Sequence, residues 1–491
     1  MSDGTGFDCD LLVAGFGLAG ASAAVEAARA GLRVVVLERF EGGGASAMSG
    51  GLYYAGGGTR YQREAGYDDD PENMFEYLKT QLGEPAVSDR TLRRFCAESI
   101  ANLGFLEGLG VPWGSTVWPY KATFPPDGYH LHFTGNERVA PYSAAARSAP
   151  RGHRAIGEGF TGRVIMERML AGTDALGVEI RRDARVTALI TEGSRVVGAR
   201  YLAGGDSAPR PLRARHGVLL ATGGYQFDRE LVAEHGPGWL AGKPQGLEGD
   251  GDGLRLGLGA GGAASHLDHF EGWVSPYPPT SMMRGILVGP DGDRLCSEEL
   301  YAATMAKAIV NRGGGRSWLV ADQAVFERAR SEATEMAGVK TYLEDKFGPS
   351  GHTTAPTPDA LAKAIGIDAD GLASTIAEYN LAAGSGSGDR FSKSPDLLQA
   401  LGQPPYYAWE VFIAGRHFMS TGGLVVDEDT GEVRRLDGSA VGGLYAAGRA
   451  AIGICTTGYN SGLSLADCVF SGRRAATHVK ARADLAVSAE T

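Results

Sequence analysis

Two short stretches of the 491-residue chain carry residue types whose spacing could do chemistry. The first, "DLLVAGFGLAGASAAVEAARAGLRVVVLER", spaces Gly15, Gly17 and Gly20 as G-x-G-x-x-G. That spacing suits a pyrophosphate. Gly15 permits a tight turn, Gly17 lets the backbone come close, and Gly20 lets the following helix pack on the strand. The helix that opens with Leu18 and Ala19 offers free N–H groups and positive potential to the phosphates. The second stretch, "TTGYNSGLSLAD", runs from Thr456 to Asp467 and leads into an apolar run that reads as a helix. Tyr459 and Ser461 sit two places apart in its glycine-rich entrance. Ser461 reads either as a helix N-cap or as a group that handles a proton, and Tyr459 either as an aromatic lid or as a reacting phenol.

The elements that must position the first motif are readable nearby. Leu11 to Ala14 is a short buried strand, an Ala-rich helix runs to about Ala30, Gly31 ends it, and a second strand covers Val34 to Leu37. Glu38 closes that strand, placed to take ribose hydroxyls, and Arg39 beside it reads as a surface charge or a second cofactor contact. "GLGAGG", Gly257 to Gly262, repeats the glycine spacing but follows "GDGDGLRL" rather than a β-branched strand, so it reads as a helix end. One dinucleotide is expected, with no second site for a nicotinamide cofactor.

FAD fits better than NAD. After Glu38 comes "RFEGGGASAMSGGLYYAGGGT", small residues including Ala45, Ser46, Ser49, Gly50 and Gly51, which suit a chain running along an extended cofactor. "RVTALITEGSRVVGARYL", with Val186, alternates like a hairpin. "HGVLLATGGYQFD" is a buried strand ending in Ala221, Thr222 and Gly223. Near the C-terminus "GGLYAAGRAAIGICTTGYNSGLSLADCVFSGRRAA" repeats strand, glycine turn and helix, with Gly448 and Arg449 in the turn and Ser464 and Leu465 at the helix start.

Bulk properties bound the rest. The length suggests two domains. The net charge of −11, with no basic block, argues against nucleic acid or an anionic membrane as partner. Cys9, Cys96, Cys296, Cys455 and Cys468 are odd in number and widely spaced, which fits a reducing compartment better than disulfides or zinc. The N-terminus does not read as a signal peptide, and no apolar run approaches the ~20 residues that span a bilayer. A cytoplasmic protein is expected. His130, His132, His153, His266 and His269 show no ligand spacing, and no metal is expected.

The motifs together resemble the flavoproteins of the fumarate reductase and 3-ketosteroid dehydrogenase superfamily. The matching pieces are "GFGLAG…VVVLER", "ASAMSGG", "ATGG", "GDGDGL", "GPDGDRLCSEE", "PPYYA", "STGGLVVD" and "GLYAAGRA…SLADCVFSGRRAA", in order along nearly the whole chain. The resemblance implies an α/β architecture (α+β overall). A Rossmann-like FAD-binding domain would cover 1–267 and 415–491, with a smaller catalytic domain inserted at about 268–414. Within the insertion, "AAGSGSGDRF", 382–391, is expected as a surface loop. Val186 and Asp252 join the glycines as implied cofactor contacts. Members with covalent FAD attach it through a histidine six residues before the pair that is Gly50-Gly51 here; Gly44 stands there, so FAD is expected to be non-covalent.

The resemblance also bears on Tyr459. Members acting on dicarboxylates clamp the substrate with arginine and histidine, because a carboxylate favours a charged, bidentate partner. At two of those places this chain has Tyr459 and, in "RLCSEELYAA", Tyr301; the histidine-rich "HHTMGG" reads "FMSTGG". This implies an apolar ketone, and "YNSG" most resembles the branch that removes hydrogens from C4 and C5 of 5α-reduced 3-ketosteroids. The implied chemistry assigns Tyr459 as the base for the proton alpha to the ketone. Ser461 would be the relay, Tyr301 a second tyrosine at the ketone oxygen, and flavin N5 the hydride acceptor. A tyrosine with the usual pKa of about 10 needs help, which a helix N-terminus would give. The electron acceptor is unidentified. The 1,2-desaturating branch and a fumarate-reductase-like enzyme are the alternatives, together with a flavin-binding carrier without dehydrogenase activity. "VPWGSTVWPYKATFPPDGYHLHF", Val111 to Phe133, reads as a wall of an apolar pocket or as an aromatic loop packed under the FAD domain.

Overall fold

The computed structural model describes residues 6–247, 249–335, 347–348, 350–385 and 388–490. Its largest sheet is built on the strand Cys9–Ala14, which pairs in parallel with Val34–Leu37 on one side and Arg210–Leu220 on the other. Glu179–Arg181 extends the parallel set beyond Val34–Leu37, and Ala440–Ala446 extends it beyond Arg210–Leu220. Leu11–Ala14, Val34–Leu37 and the end of Arg210–Leu220 are apolar runs rather than alternating ones because helices cover this part of the sheet. Helix Leu18–Arg29 follows the glycine turn and packs against the long helix Leu463–Glu490. A Cβ on Gly472 would lie 2.3 Å from the Ala19 carbonyl oxygen, so the two helices touch backbone to backbone.

The alternating segment forms its hairpin, Ala184–Glu192 against Arg195–Ala203, and joins the large sheet along Arg210–Leu220. "GLGAGG" begins in the last turn of helix Asp252–Gly259 and runs past its end, as its sequence setting suggested.

The strands Ile286–Val288, Trp318–Asp322, Thr353–Ala355 and Tyr406–Glu410 form a separate antiparallel sheet. Helix Ala302–Gly313 runs beside it with Tyr301 as its N-cap residue. A small sheet links the two regions: His417–Ser420 pairs antiparallel with Phe270–Gly272 and parallel with Lys243–Pro244. Another joins Leu52–Tyr54, Gly152–Arg154 and Leu131–His132.

One expectation is corrected. The stretch 382–391 does not begin as a loop: helix Ala369–Ser385 continues through its first residues, whose Ala-rich composition outweighs the glycine. Asp389 turns inward, its side chain 2% exposed against Arg294; residues 386 and 387 lie outside the described residues. Among the described residues no helix is long and apolar enough to cross a membrane, and no three His, Cys, Asp or Glu gather as metal ligands. All five cysteines are buried free thiols.

Candidate active site

A cavity of about 590 Å³ runs from the glycine turn to the loop before helix Leu463–Glu490. Its first wall is the glycine turn. Gly15 has φ +101°, and a Cβ there would sit 2.6 Å from the Ala221 carbonyl oxygen. A Cβ on Gly20 would sit 2.0 Å from the Gly15 carbonyl oxygen, so Gly20 serves the close packing of helix on turn rather than lining the cavity. Gly17, Leu18 and Ala19 line it directly. Ser46 Oγ accepts a hydrogen bond from the Leu18 N–H at 3.1 Å, tying the small-residue segment to the helix start. Ala45, Ser46, Ser49 and Gly50 line the cavity, whereas Gly51 packs against Thr161.

Glu38 ends its strand inside the cavity wall. Its carboxylate accepts from the Phe16 N–H at 2.6 Å and the Phe40 N–H at 2.8 Å, which clamps the glycine turn to the strand end. Arg39 is not a free surface charge. It lines the cavity and pairs with Asp250 at 2.6 Å and Asp252 at 3.5 Å, and Arg185 meets Asp252 at 2.8 Å. Asp252 thus takes part in a four-charge cluster at this end. Val186, Ala221, Thr222, Gly223, Gly448, Arg449, Ser464 and Leu465 complete the lining expected from sequence.

The walls fit a dinucleotide. Thr222 Oγ1 and Arg449 Nη1 are buried in them without a hydrogen-bond partner among the described residues, so each waits for an external acceptor or donor. The first-turn N–H groups of helix Leu463–Glu490, at Ser464 and Leu465, precede its internal ladder and face the same space.

The other end of the cavity holds Tyr459 and Ser461 beside Trp273, Thr123, Phe124 and Met419. Trp273 meets Tyr459 edge to face, ring centroids 5.4 Å apart at 76°. Burial pushes the Tyr459 phenol well above the usual range. Tyr301 and Cys455 add to that, while Arg449 and a hydrogen bond from the Gly462 amide oppose it. The expectation of a phenol acidified by the helix N-terminus is therefore corrected: desolvation wins, and the Gly462 N–H is the local donor that favours the anion.

Tyr301 does not line the cavity. It is 1% exposed and stands behind Ser461, its hydroxyl hydrogen-bonded to Ser461 Oγ. Ser461 Oγ donates to the Thr123 carbonyl at 3.1 Å. A carbonyl can only accept, and the one Ser461 proton goes to it, so the chain has one direction: Tyr301 to Ser461, Ser461 to Thr123. The Tyr301 proton is thereby spent on Ser461 rather than offered to a ketone. Ser461 is engaged by Tyr301 and Thr123 rather than acting as an N-cap. Trp273 carries no local signal in the sequence, since its partner Tyr459 comes from a distant segment. Thr123 and Phe124 fall inside the aromatic stretch, which proves to be both readings: these two wall the cavity while Trp113 packs in the core.

A family model described as an FAD binding domain matches residues 10–464. The 3-oxo-5-alpha-steroid 4-dehydrogenase of Comamonas testosteroni is 31% identical, covering 89% of this chain and 92% of its own length. The chain belongs to the FAD-dependent flavoproteins of the 3-ketosteroid dehydrogenase and fumarate reductase superfamily. FAD is its cofactor, and it is an FAD-dependent oxidoreductase of the class acting on CH–CH bonds. Among these flavoproteins, the solved 3-ketosteroid-delta4-(5alpha)-dehydrogenase of Rhodococcus jostii in complex with 4-androstene-3,17-dione superposes with a TM-score of 0.85. It is 32% identical and covers 97% of this chain and 98% of its own. A fumarate reductase (cytochrome) of Shewanella frigidimarina is 26% identical over 95% of this chain and 76% of its own.

Proposed function

We propose that this chain introduces the C4–C5 double bond into 5α-reduced 3-ketosteroids. The observation that carries the reading is the far end of the cavity, where Tyr459 and Ser461 stand among Trp273, Phe124 and Met419, with a tyrosine at the loop position where carboxylate-handling relatives would carry arginine; Arg416 and His417 also line the cavity. The names of the Comamonas and Rhodococcus relatives support it. FAD, held by the glycine turn, Glu38, Thr222, Arg449 and the start of the last helix, supplies the acceptor for a hydride.

Tyr459 takes the proton alpha to the ketone, and the Gly462 N–H steadies the charge on its oxygen. Ser461 lines the cavity with one lone pair beyond its bonds to Tyr301 and Thr123; as that lone pair takes the Tyr459 proton, the serine's own proton leaves the Thr123 carbonyl for a water, which restores Tyr459 as the base. Trp273 fixes the plane of the Tyr459 ring against the substrate. On this reading the domain that contributes Trp273 and Tyr301 is the insertion, about 268–414, in an FAD-binding domain of 1–267 and 415–491. FAD is bound without a covalent bond, as Gly44 stands at the place of the attachment histidine.

The test is anaerobic addition of a 5α-reduced 3-ketosteroid to the holoenzyme. Bleaching of the flavin band is expected, with mass spectrometry locating a new C4–C5 double bond. Bleaching only by a 4-ene-3-ketosteroid would move the reading to 1,2-desaturation. An oxidised flavin with both would overturn the steroid reading and turn the search to carboxylates.

A further inference from the structure

Strand Phe270–Gly272 delivers Trp273 to the cavity, and in its middle it carries a charge it has no evident use for. Glu271 is 1% exposed. A carboxylate so placed is costly unless a cation meets it. The cation is Lys307, whose Nζ lies 2.5 Å from Glu271 Oε1. Lys307 belongs to helix Ala302–Gly313, the helix capped by Tyr301. One of the three protons of its ammonium goes to the Thr457 carbonyl oxygen at 2.8 Å. Thr457 stands in the loop that presents Tyr459 and Ser461.

Three separate pieces of chain therefore converge on one ammonium. One carries Trp273, one is headed by Tyr301, and one carries Tyr459 and Ser461. None of these four side chains bonds Lys307 itself, yet each is anchored within a few residues of a group that does. We infer that Lys307 is a positioning residue for the dehydrogenation: through Glu271 and the Thr457 carbonyl it sets the spacing between Trp273, Tyr301 and the Tyr459 loop. The inference rests on the dehydrogenase reading given above. Reaction at an unactivated carbon needs tight placement, and misplacement by about 1 Å can cost about 100-fold in rate. The link is polar, buried at Glu271 and half-buried at Lys307, and its directional bond to the Thr457 carbonyl favours one geometry where apolar packing would tolerate several.

A charge-balancing role alone predicts something different, and paired substitutions separate the two. Lys307→Met leaves Glu271 buried without its cation, and a lower melting temperature and a lower kcat are expected together. Lys307→Met with Glu271→Gln removes both charges, so the melting temperature should return towards that of the parent. Positioning predicts that kcat for steroid-dependent flavin reduction stays depressed in the double variant, by about 10-fold or more, with KM changed little. Glu271→Gln alone keeps an oxygen that can accept from Lys307 and leaves the bond to Thr457, so a smaller loss of kcat than in the double variant is expected. Lys307→Arg should recover part of the loss. Parental kcat in the double variant, or in Lys307→Met, overturns the inference, as does a Glu271→Gln defect as deep as that of the double variant. If the parent flavin is not reduced by the steroid at all, it is the functional reading that fails, whatever the variants do.

Discussion

Burial holds the Tyr459 phenol neutral, so the base role proposed for it depends on the small ionised fraction. Because its pKa lies above the ordinary phenol value, that fraction rises tenfold per pH unit throughout the accessible range. The rate constant for flavin reduction is therefore expected to climb with pH and to show no plateau below about pH 10. A plateau near neutrality would identify a different base. Tyr459→Phe should lower the rate by about 10²- to 10⁴-fold while the bound flavin keeps its visible spectrum. An unchanged rate would remove Tyr459 from the chemistry. Tyr459 and Ser461 were legible in the sequence because the glycines around them mark a helix entrance at a cavity. Trp273, Thr123 and the direction of the hydrogen-bond chain were not. They depend on contacts such as Tyr301 with Ser461, 160 residues apart, and no local pattern encodes those.

At the scale of elements, the strand–turn–helix–strand unit and the hairpin were readable from periodicity and glycine placement. Val34–Leu37 falls where the apolar run predicts, and the first strand begins two residues earlier than expected, at Cys9. The sheet of Leu52–Tyr54, Leu131–His132 and Gly152–Arg154 was not readable, because strands of two and three residues show no period. That sheet has a pH signature of its own. Burial first, then charged neighbours, lowers the His132 pKa to about 3, and burial lowers that of His153 to about 4. In the unfolded chain both rings bind protons near pH 6.5. Between those values the unfolded state holds more protons, so stability falls as pH falls from about 6.5 towards 4. Among the described residues neither ring nitrogen of His132 makes a well-formed hydrogen bond, so an apolar ring forfeits little. His132→Phe should lose less melting temperature between pH 7 and pH 4 than the parent. An identical pH slope would show that His132 does not set the acid sensitivity.

At the scale of the whole molecule, the cavity is assembled from segments scattered between Ala14 and Cys468. A cofactor that touches all of them binds the folded chain and not the unfolded one, so it stabilises by mass action. Apoprotein should melt several degrees below holoprotein, and added FAD should restore the melting temperature in proportion to the logarithm of its concentration. Equal melting temperatures would mean that the walls are held without the cofactor. The linking sheet of Lys243–Pro244, Phe270–Gly272 and His417–Ser420 could not be foreseen, since it pairs three distant segments. The five thiols, all buried and unpaired, have a practical consequence on this scale. A cysteine introduced at an exposed position would be the most accessible thiol to a maleimide dye. A pair of such labels, one on the FAD-binding sheet and one on the sheet of Trp318–Asp322, would turn the protein into its own optical ruler, reporting the gap between the two sheets during turnover.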